Sequence, residues 1–419
     1  MSISVISLIA LVFALIISCV SPKNIGVLAI GLAFGVSILG GVKTSVLTSS
    51  FPLTLFMTLA GVTYLFGIAQ ANGTIDKITK YAVKAVGGKV AVLPIILFFV
   101  AFTLAAMGPG QISILALMAP AVMILAEETG IPPLLMALMV GNGGQAGAMS
   151  PIAPTGLIAD GLVSKIGLTG LGGKMFFSAF LGHFSVAVLA YFLFGGIALW
   201  KQKGNSAAVN AVLNVPVAPF TKNQLLTLCG IISLVLAALV FKFDVGFSAF
   251  AIGAILTLLN VADENQAIKN MPWGTILMVC GVTVLIGLMK NVGGMALFSG
   301  IIANFSTPNT ATLVLGFIAA IISVYASTSG VILPAFIPLI PDLITKMGGG
   351  DPVALVMTVV VAGHLVDISP LSTSGALMIG AAGPKADKQK LFRNMLAWGF
   401  SMSVVGAVLS WLFFTVLKF

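Results

Sequence analysis

Long apolar runs follow one another along almost the whole chain, separated by short polar or Gly/Pro-rich breaks. A bilayer crossing needs roughly 20 mostly apolar residues, and runs near that length cover 2–20, 24–42 and 52–71. Residues 73–89 then change character: Lys77, Lys80 and Lys84 recur at helical spacing beside apolar positions, which predicts an amphipathic helix on the membrane surface. Two shorter runs, 90–106 and 111–126, are separated by the turn Met107–Gln111, which predicts a re-entrant hairpin that enters and leaves on one side. Residues 132–165 form a long segment interrupted by GNGGQAGAMSPIAPTG, and a span over 175–200 follows. The runs are continuous, whereas the strands of an outer-membrane barrel alternate over about 10 residues. The first run has neither a basic start nor a small-residue cleavage site and is read as a span, not a signal peptide.

The order then repeats. GVTYLFG at Gly61–Gly67 returns as GVTVLIG at Gly281–Gly287, 220 residues on, each nine residues after a proline, Pro52 or Pro272. GQISILALMAP from Gly110 is matched by GVILPAFIP from Gly330 at the same offset, and SPIAPTG (Ser150–Gly156) by SPLSTSG (Ser369–Gly375) at 219. The second copy predicts spans at 224–241, 246–261 and 272–290, a surface segment at 291–308, and a hairpin at 309–345 with its tip at Ser327–Gly330. A broken helix at 352–384 and a last span at 391–417 complete it. Five crossings per copy would place the second copy upside down, the inverted-repeat plan of secondary transporters. The expected fold is thus an all-α polytopic membrane protein of two inverted repeats, 1–200 and 223–419, joined by a linker at 201–222.

Composition agrees: 59% of residues are hydrophobic and 7% charged, too few charges for a soluble domain. The net charge of +9 comes from 19 lysines and Arg393 against 11 acids. In this setting it reads as positively charged loops, not as a nucleic-acid surface. Of the 20 basic residues, 13 fall on the side reached after the first span and 7 on the other, which makes the first side cytoplasmic and puts both termini outside. The expected location is a bacterial cytoplasmic membrane. Cys19, Cys229 and Cys280 lie in apolar runs at unrelated spacing and read as small buried hydrophobes, with no disulfide or metal site. No paired catalytic carboxylates, ligand cluster or nucleophile–base arrangement is present, so neither an enzyme nor a cofactor is expected.

The two breaks carry the chemistry. Irregular backbone at membrane depth is tolerated where it lines a cavity, and matched breaks in two halves mark a transport site. Exposed N–H groups at a half-helix N-terminus attract anions. In the first break Pro151 and Pro154 lack N–H donors, Gly156 allows close approach, and Ser150 and Thr155 offer hydroxyls. The second holds Ser369, Pro370, Ser372, Thr373, Ser374 and Gly375. The hairpin tips add Gly108, Pro109, Gly110, Gln111 and Ser113, then Ser327, Thr328, Ser329 and Gly330. Each feature read singly is equally an ordinary kink or tight turn; agreement across both copies favours a site. Asn142 and Gln145 either recognise substrate or satisfy freed backbone groups. Asp367, with His364 in GHLVDISP, either carries a coupling ion or caps the following half-helix. His183 reads as a buried structural residue, Asp160 as a surface or capping group, and Glu127 and Glu128 as solvated.

The order of spans, surface helix, hairpin, broken helix and closing span, given twice, resembles the ion transporter superfamily with its divalent anion:sodium symporters. GNGGQAGAMSPIAPTG and GHLVDISPLSTSG are most similar to the malonate and dicarboxylate carrier group. The resemblance implies a homodimer in the lipid bilayer, an elevator motion, and a small carboxylate held between tips and breaks. Its sodium symporters carry Ser-Asn-Thr at each tip, where this chain has GPGQIS and STSG, so Na+ and H+ both stand as coupling ions. The expected function is a cation-coupled carrier of a small di- or monocarboxylate. A cation/proton antiporter or inorganic oxyanion permease is the alternative, and a channel a further one.

Overall fold

The computed structural model describes residues 1–21, 23–84, 90–200, 217–383 and 385–419. Lys89, Lys201, Lys203 and most of the 201–222 linker lie outside the described residues, as does the side chain of Cys19. Among the described residues every regular element is helical, as a chain in lipid requires when each backbone group must find its partner within its own segment.

The first half comprises α1 (Ile3–Val20), α2 (Ile25–Leu39), α3 (Thr44–Ser50), α4 (Leu53–Ala71), α5 (Thr74–Lys84), α6 (Leu93–Ala106), α7 (Gly110–Thr129), α8 (Pro133–Ala148), α9 (Pro154–Lys165), α10 (Gly172–Leu193) and α11 (Gly196–Leu199). The second half repeats it as α12 (Lys222–Leu239), α13 (Val245–Leu258), α14 (Glu264–Asn270), α15 (Trp273–Asn291), α16 (Gly294–Asn304) and α17 (Ala311–Ser323). It continues with α18 (Thr328–Met347), which opens on a π turn, then α19 (Pro352–Leu365), α20 (Thr373–Gly380) and α21 (Lys388–Val416). Six of these helices are long and apolar enough to cross a membrane, and eight more are apolar but shorter.

Local chemistry sets the same boundaries in both copies. Asn24 caps α2 through Gly26 N at 2.9 Å, and Asp244 caps α13 through Phe247 N at 2.9 Å. Pro52 and Pro272 precede α4 and α15 with nearly equal dihedrals, φ −81 ψ 69 and φ −77 ψ 62. Thr63 and Thr283, in the repeated GVT phrase, each donate 2.7 Å hydrogen bonds to the carbonyl four residues back.

Packing joins the copies reciprocally. Helix α2 lies on α15, and α13 on α4. A methyl group on Gly281 would collide with the Gly26 backbone, and one on Gly61 with the Gly246 carbonyl. These are the same contact with the copies exchanged, since each partner is displaced by 220 residues. Asn24 Nδ2 also donates to Gly274 O at 2.7 Å across 250 residues. Helices α1–α4 and α12–α16 make one bundle and α6–α8, α10, α17 and α19–α21 a second, while α9 and α18 pack against both.

Three expectations change. The short helices α3 and α14, seven residues each, follow α2 and α13, in stretches where the apolar pattern predicts no element. Cys280 is buried but Cys229 is exposed on the surface of the chain, because α12 turns that face outward. Glu127 is not solvated: its side chain is 11% exposed, it accepts from Lys385 N at 3.3 Å, and Lys385 Nζ lies 3.8 Å away. The segment after α20 folds back over the end of α7 and covers it.

Candidate functional site

Both predicted breaks are present, and their backbones match. After α8, Ala153 N donates to Ser150 O at 2.9 Å; after α19, Ser372 N donates to Ser369 O at 3.0 Å. Gly156 lies against the Ser150 carbonyl, and Gly375 against the Ser369 carbonyl, so closely that neither admits a side chain. What closes the turns differs. The residue before α9, Ala153, offers no side-chain cap, and Pro154 opens the helix in the position where its missing N–H costs nothing. Before α20, Ser372 Oγ accepts from Gly375 N at 3.3 Å and donates to Asp367 O at 2.5 Å and Ser369 O at 2.8 Å.

The first hairpin tip turns through Gly108 (φ 126) and Gly110 (φ 75), conformations that favour glycine. It sets Gln111 against the start of α9, where Thr155 Oγ1 donates to Gln111 Oε1 at 3.4 Å. At the second tip Ser327 caps α18 through Gly330 N at 3.2 Å.

Two cavities adjoin these elements. The larger, about 850 Å³, is lined by Gln111 of the first tip, Ser327 and Ser329 of the second, and Asp367, Ser372, Thr373 and Ser374 of the second break. The smaller, about 310 Å³, is lined by Gly108, Pro109, Gly110, Gln111 and Ser113 of the first tip, Pro154 and Thr155 of the first break, and Ser329. Gln111 and Ser329 belong to both, so the tips stand between the two spaces.

The remaining candidates line neither cavity. Ser150 and Ser369 turn their hydroxyls toward the backbone two residues on, Ile152 N at 3.5 Å and Leu371 N at 3.3 Å. Pro151 is exposed, while Gly156, Pro370 and Gly375 are buried in the turns. Gly330 is buried in the opening turn of α18. Thr328 is buried, bonded to Ser323 and to Gly363 O at 2.9 Å. Gln145 supports the second break from α8: its Nε2 donates to Ser374 Oγ at 3.0 Å and to Asp367 O at 3.4 Å. Asn142 turns to His183 Nδ1 at 2.9 Å, and His364 faces His183, so these three form a layer behind the break. Asp367 Oδ1 accepts from Ser323 Oγ at 3.4 Å.

Sequence reasoning missed the wall that the first bundle supplies. Ser18, Ser21 and Lys23 from the α1–α2 connection and Met278 of α15 line the larger cavity. Thr63, Gln70 and Asn270 line the smaller. Lys23 is the one cation and Asp367 the one carboxylate lining either space among the described residues. The only sequence signal was position: Lys23 sits in a loop too short to leave the mouth of the bundle. Arg393 is exposed on α21, away from both spaces.

The chain is therefore an integral membrane protein with a helical transporter fold. Residues 1–148, which end where the first break begins, match the family model described as the N-terminus of the dicarboxylate carrier protein MatC. This agrees with the carrier-group resemblance read from the sequence, and the likeness is to a carrier family, not to an enzyme. The crystal structure of the YdaH transporter of Alcanivorax borkumensis, described as having an unusual topology, is similar in fold, with a TM-score of 0.58 at 15% identity over 90% of this chain and 88% of that one. No curated protein sequence matches.

Proposed function

We propose that the protein is a secondary carrier of a small dicarboxylate, coupled to Na+ or H+, with the tips and breaks as its substrate site. One observation carries the reading: two spaces meet at Gln111 and Ser329, and each is lined by the first residues of a half-helix, Pro154 and Thr155 in one and Thr373 and Ser374 in the other. Half-helix N-termini attract negative charge. Two of them on opposite sides of the tips suit a molecule with a carboxylate at each end better than one with a single charge. Lys23 at the mouth adds attraction for an anion. The matched family supports the substrate class.

The reciprocal contacts between copies support an inverted repeat, and the division into two bundles supports an elevator motion of the second past the first. A homodimer through the first bundle fits this plan. Counterflow in liposomes tests the carrier: radiolabelled malonate or a C4-dicarboxylate should enter vesicles preloaded with the same acid, saturably. Passive, unsaturable flux would refute it.

A further inference from the structure

Lys23 lines the larger cavity, and no carboxylate among the described residues pairs with it. Asp367, in the same space, takes its hydrogen bond from Ser323 instead. The two walls of this cavity belong to different bundles. Ser18, Ser21 and Lys23 come from the end of α1 and the α1–α2 connection, and α1 packs on α2, α15 and α16 of the first bundle. The other wall holds the start of α20, where Ser372 caps the helix and Thr373 and Ser374 line the space. A helix start carries roughly half an elementary charge, which answers one carboxylate. A dianion seated there leaves its second carboxylate in need of a cation, and Asp367 offers none.

We propose that Lys23 selects a dicarboxylate over a monocarboxylate, and that it does so only while the cavity opens to the face that the α1–α2 connection reaches. This rests on the carrier reading and the elevator motion above. Lys23 is fixed to the first bundle, so its contact with a substrate carried by the second is lost when the second moves. A ligand shifts an equilibrium between two states only by its difference in affinity for them. The Lys23 contact is such a difference, and it is larger for a dianion than for a monoanion.

The second copy supplies a counterpart. Lys23 directly precedes Asn24, the cap of α2, and Lys242 lies two residues before Asp244, the cap of α13. Lys242 lines neither cavity. In an inverted repeat the two connections reach opposite faces, so each face has one lysine at the edge of the first bundle. The hydroxyls are not matched. Ser18 and Ser21 correspond, 220 residues on, to Ala238 and Phe241. The mouth at Lys23 is the more polar of the two, and the preference for a dianion should be greater from that face.

Malonate and propionate carry the test, because they have equal carbon number and differ by one carboxylate. Isothermal titration of the purified protein, at a pH where both malonate carboxylates are ionised, should show malonate bound more tightly by wild type. Lys23→Gln should weaken malonate about tenfold, between the worth of a charge pair in water and at a protein surface, and leave propionate within about twofold. Lys23→Arg should restore malonate binding, and the loss should shrink at high salt. Lys390→Gln, which removes an exposed lysine that lines neither cavity, should change neither acid. In membrane vesicles of both orientations, Lys23→Gln should raise the malonate KM from its own face, and Lys242→Gln from the opposite one. An unchanged malonate affinity in Lys23→Gln, equal losses for both acids, or a KM raised equally from both faces would overturn the proposal. So would a wild-type protein that binds malonate no more tightly than propionate, or binds neither. A wild-type protein that binds malonate without counterflow overturns the carrier reading instead, and the titration then decides the role of Lys23 by itself.

Discussion

The two breaks are one backbone made with two chemistries. SPIAPTG and SPLSTSG make the same turn, with Ser150 and Ser369 accepting equivalent bonds and Gly156 and Gly375 pressed against their carbonyls. The first is held by covalent restriction, with Pro154 opening α9. The second is held by hydrogen bonds, with Ser372 capping α20 and Gln145 bracing Ser374 from α8. A proline turn keeps its shape whatever surrounds it. A hydrogen-bonded one is tied to the Asp367 carbonyl and, through Gln145, to α8. The duplicated unit has kept its shape and divided its labour.

The comparison is tested most severely where the breaks are alike. Gly156→Ala and Gly375→Ala should each destabilise by about 3 kcal/mol, near the upper end of ordinary overpacking, because the obstacle is backbone. Thermal unfolding should show similar losses for both, and tolerance of one alone would show that the turns are not equivalent. Asp367→Asn keeps the volume and removes the carboxylate. It should leave the unfolding temperature near wild type while transport loses its dependence on pH or sodium, and an unaltered ion dependence would remove Asp367 from coupling. Gln145→Leu breaks the brace on the second break only. Counterflow should show a loss in affinity of about tenfold, the size of one buried hydrogen bond; an unchanged KM would make the brace idle. The finest contrast is between closures. Ser372→Ala removes a cap and should cost about 1 kcal/mol, while Pro154→Ala should cost about 0.5 kcal/mol, mainly through the unfolded chain. Reversal of that order in matched denaturation measurements would reverse the assignment of rigidity.

Much of the plan was legible in the sequence, because breaks and turns need Gly, Pro and hydroxyl residues that stand out against apolar helices. The hairpin tips, the amphipathic Thr74–Lys84 helix and both junctions fall where those residues place them. What could not be read is which face of each helix meets protein. Lipid is as apolar as a protein core, so a fully apolar helix has no polar face to betray its orientation. Cys229 and Cys280 look alike in sequence and differ in exposure for this reason. Long-range contacts were equally silent: nothing in Asn142 or His183 announces their bond, and Glu127 reads as a solvated acid until Lys385 closes over it. The helices α3 and α14 carry only seven residues, too few for a period to emerge.

The crossed glycine contacts have a consequence for biosynthesis. Helix α2 rests on α15, which the ribosome makes some 250 residues later. Until then the small-residue groove around Gly26 has only lipid against it, and α4 likewise waits for α13. The first half therefore enters the membrane without its permanent neighbours and reaches its final packing only when the second half arrives.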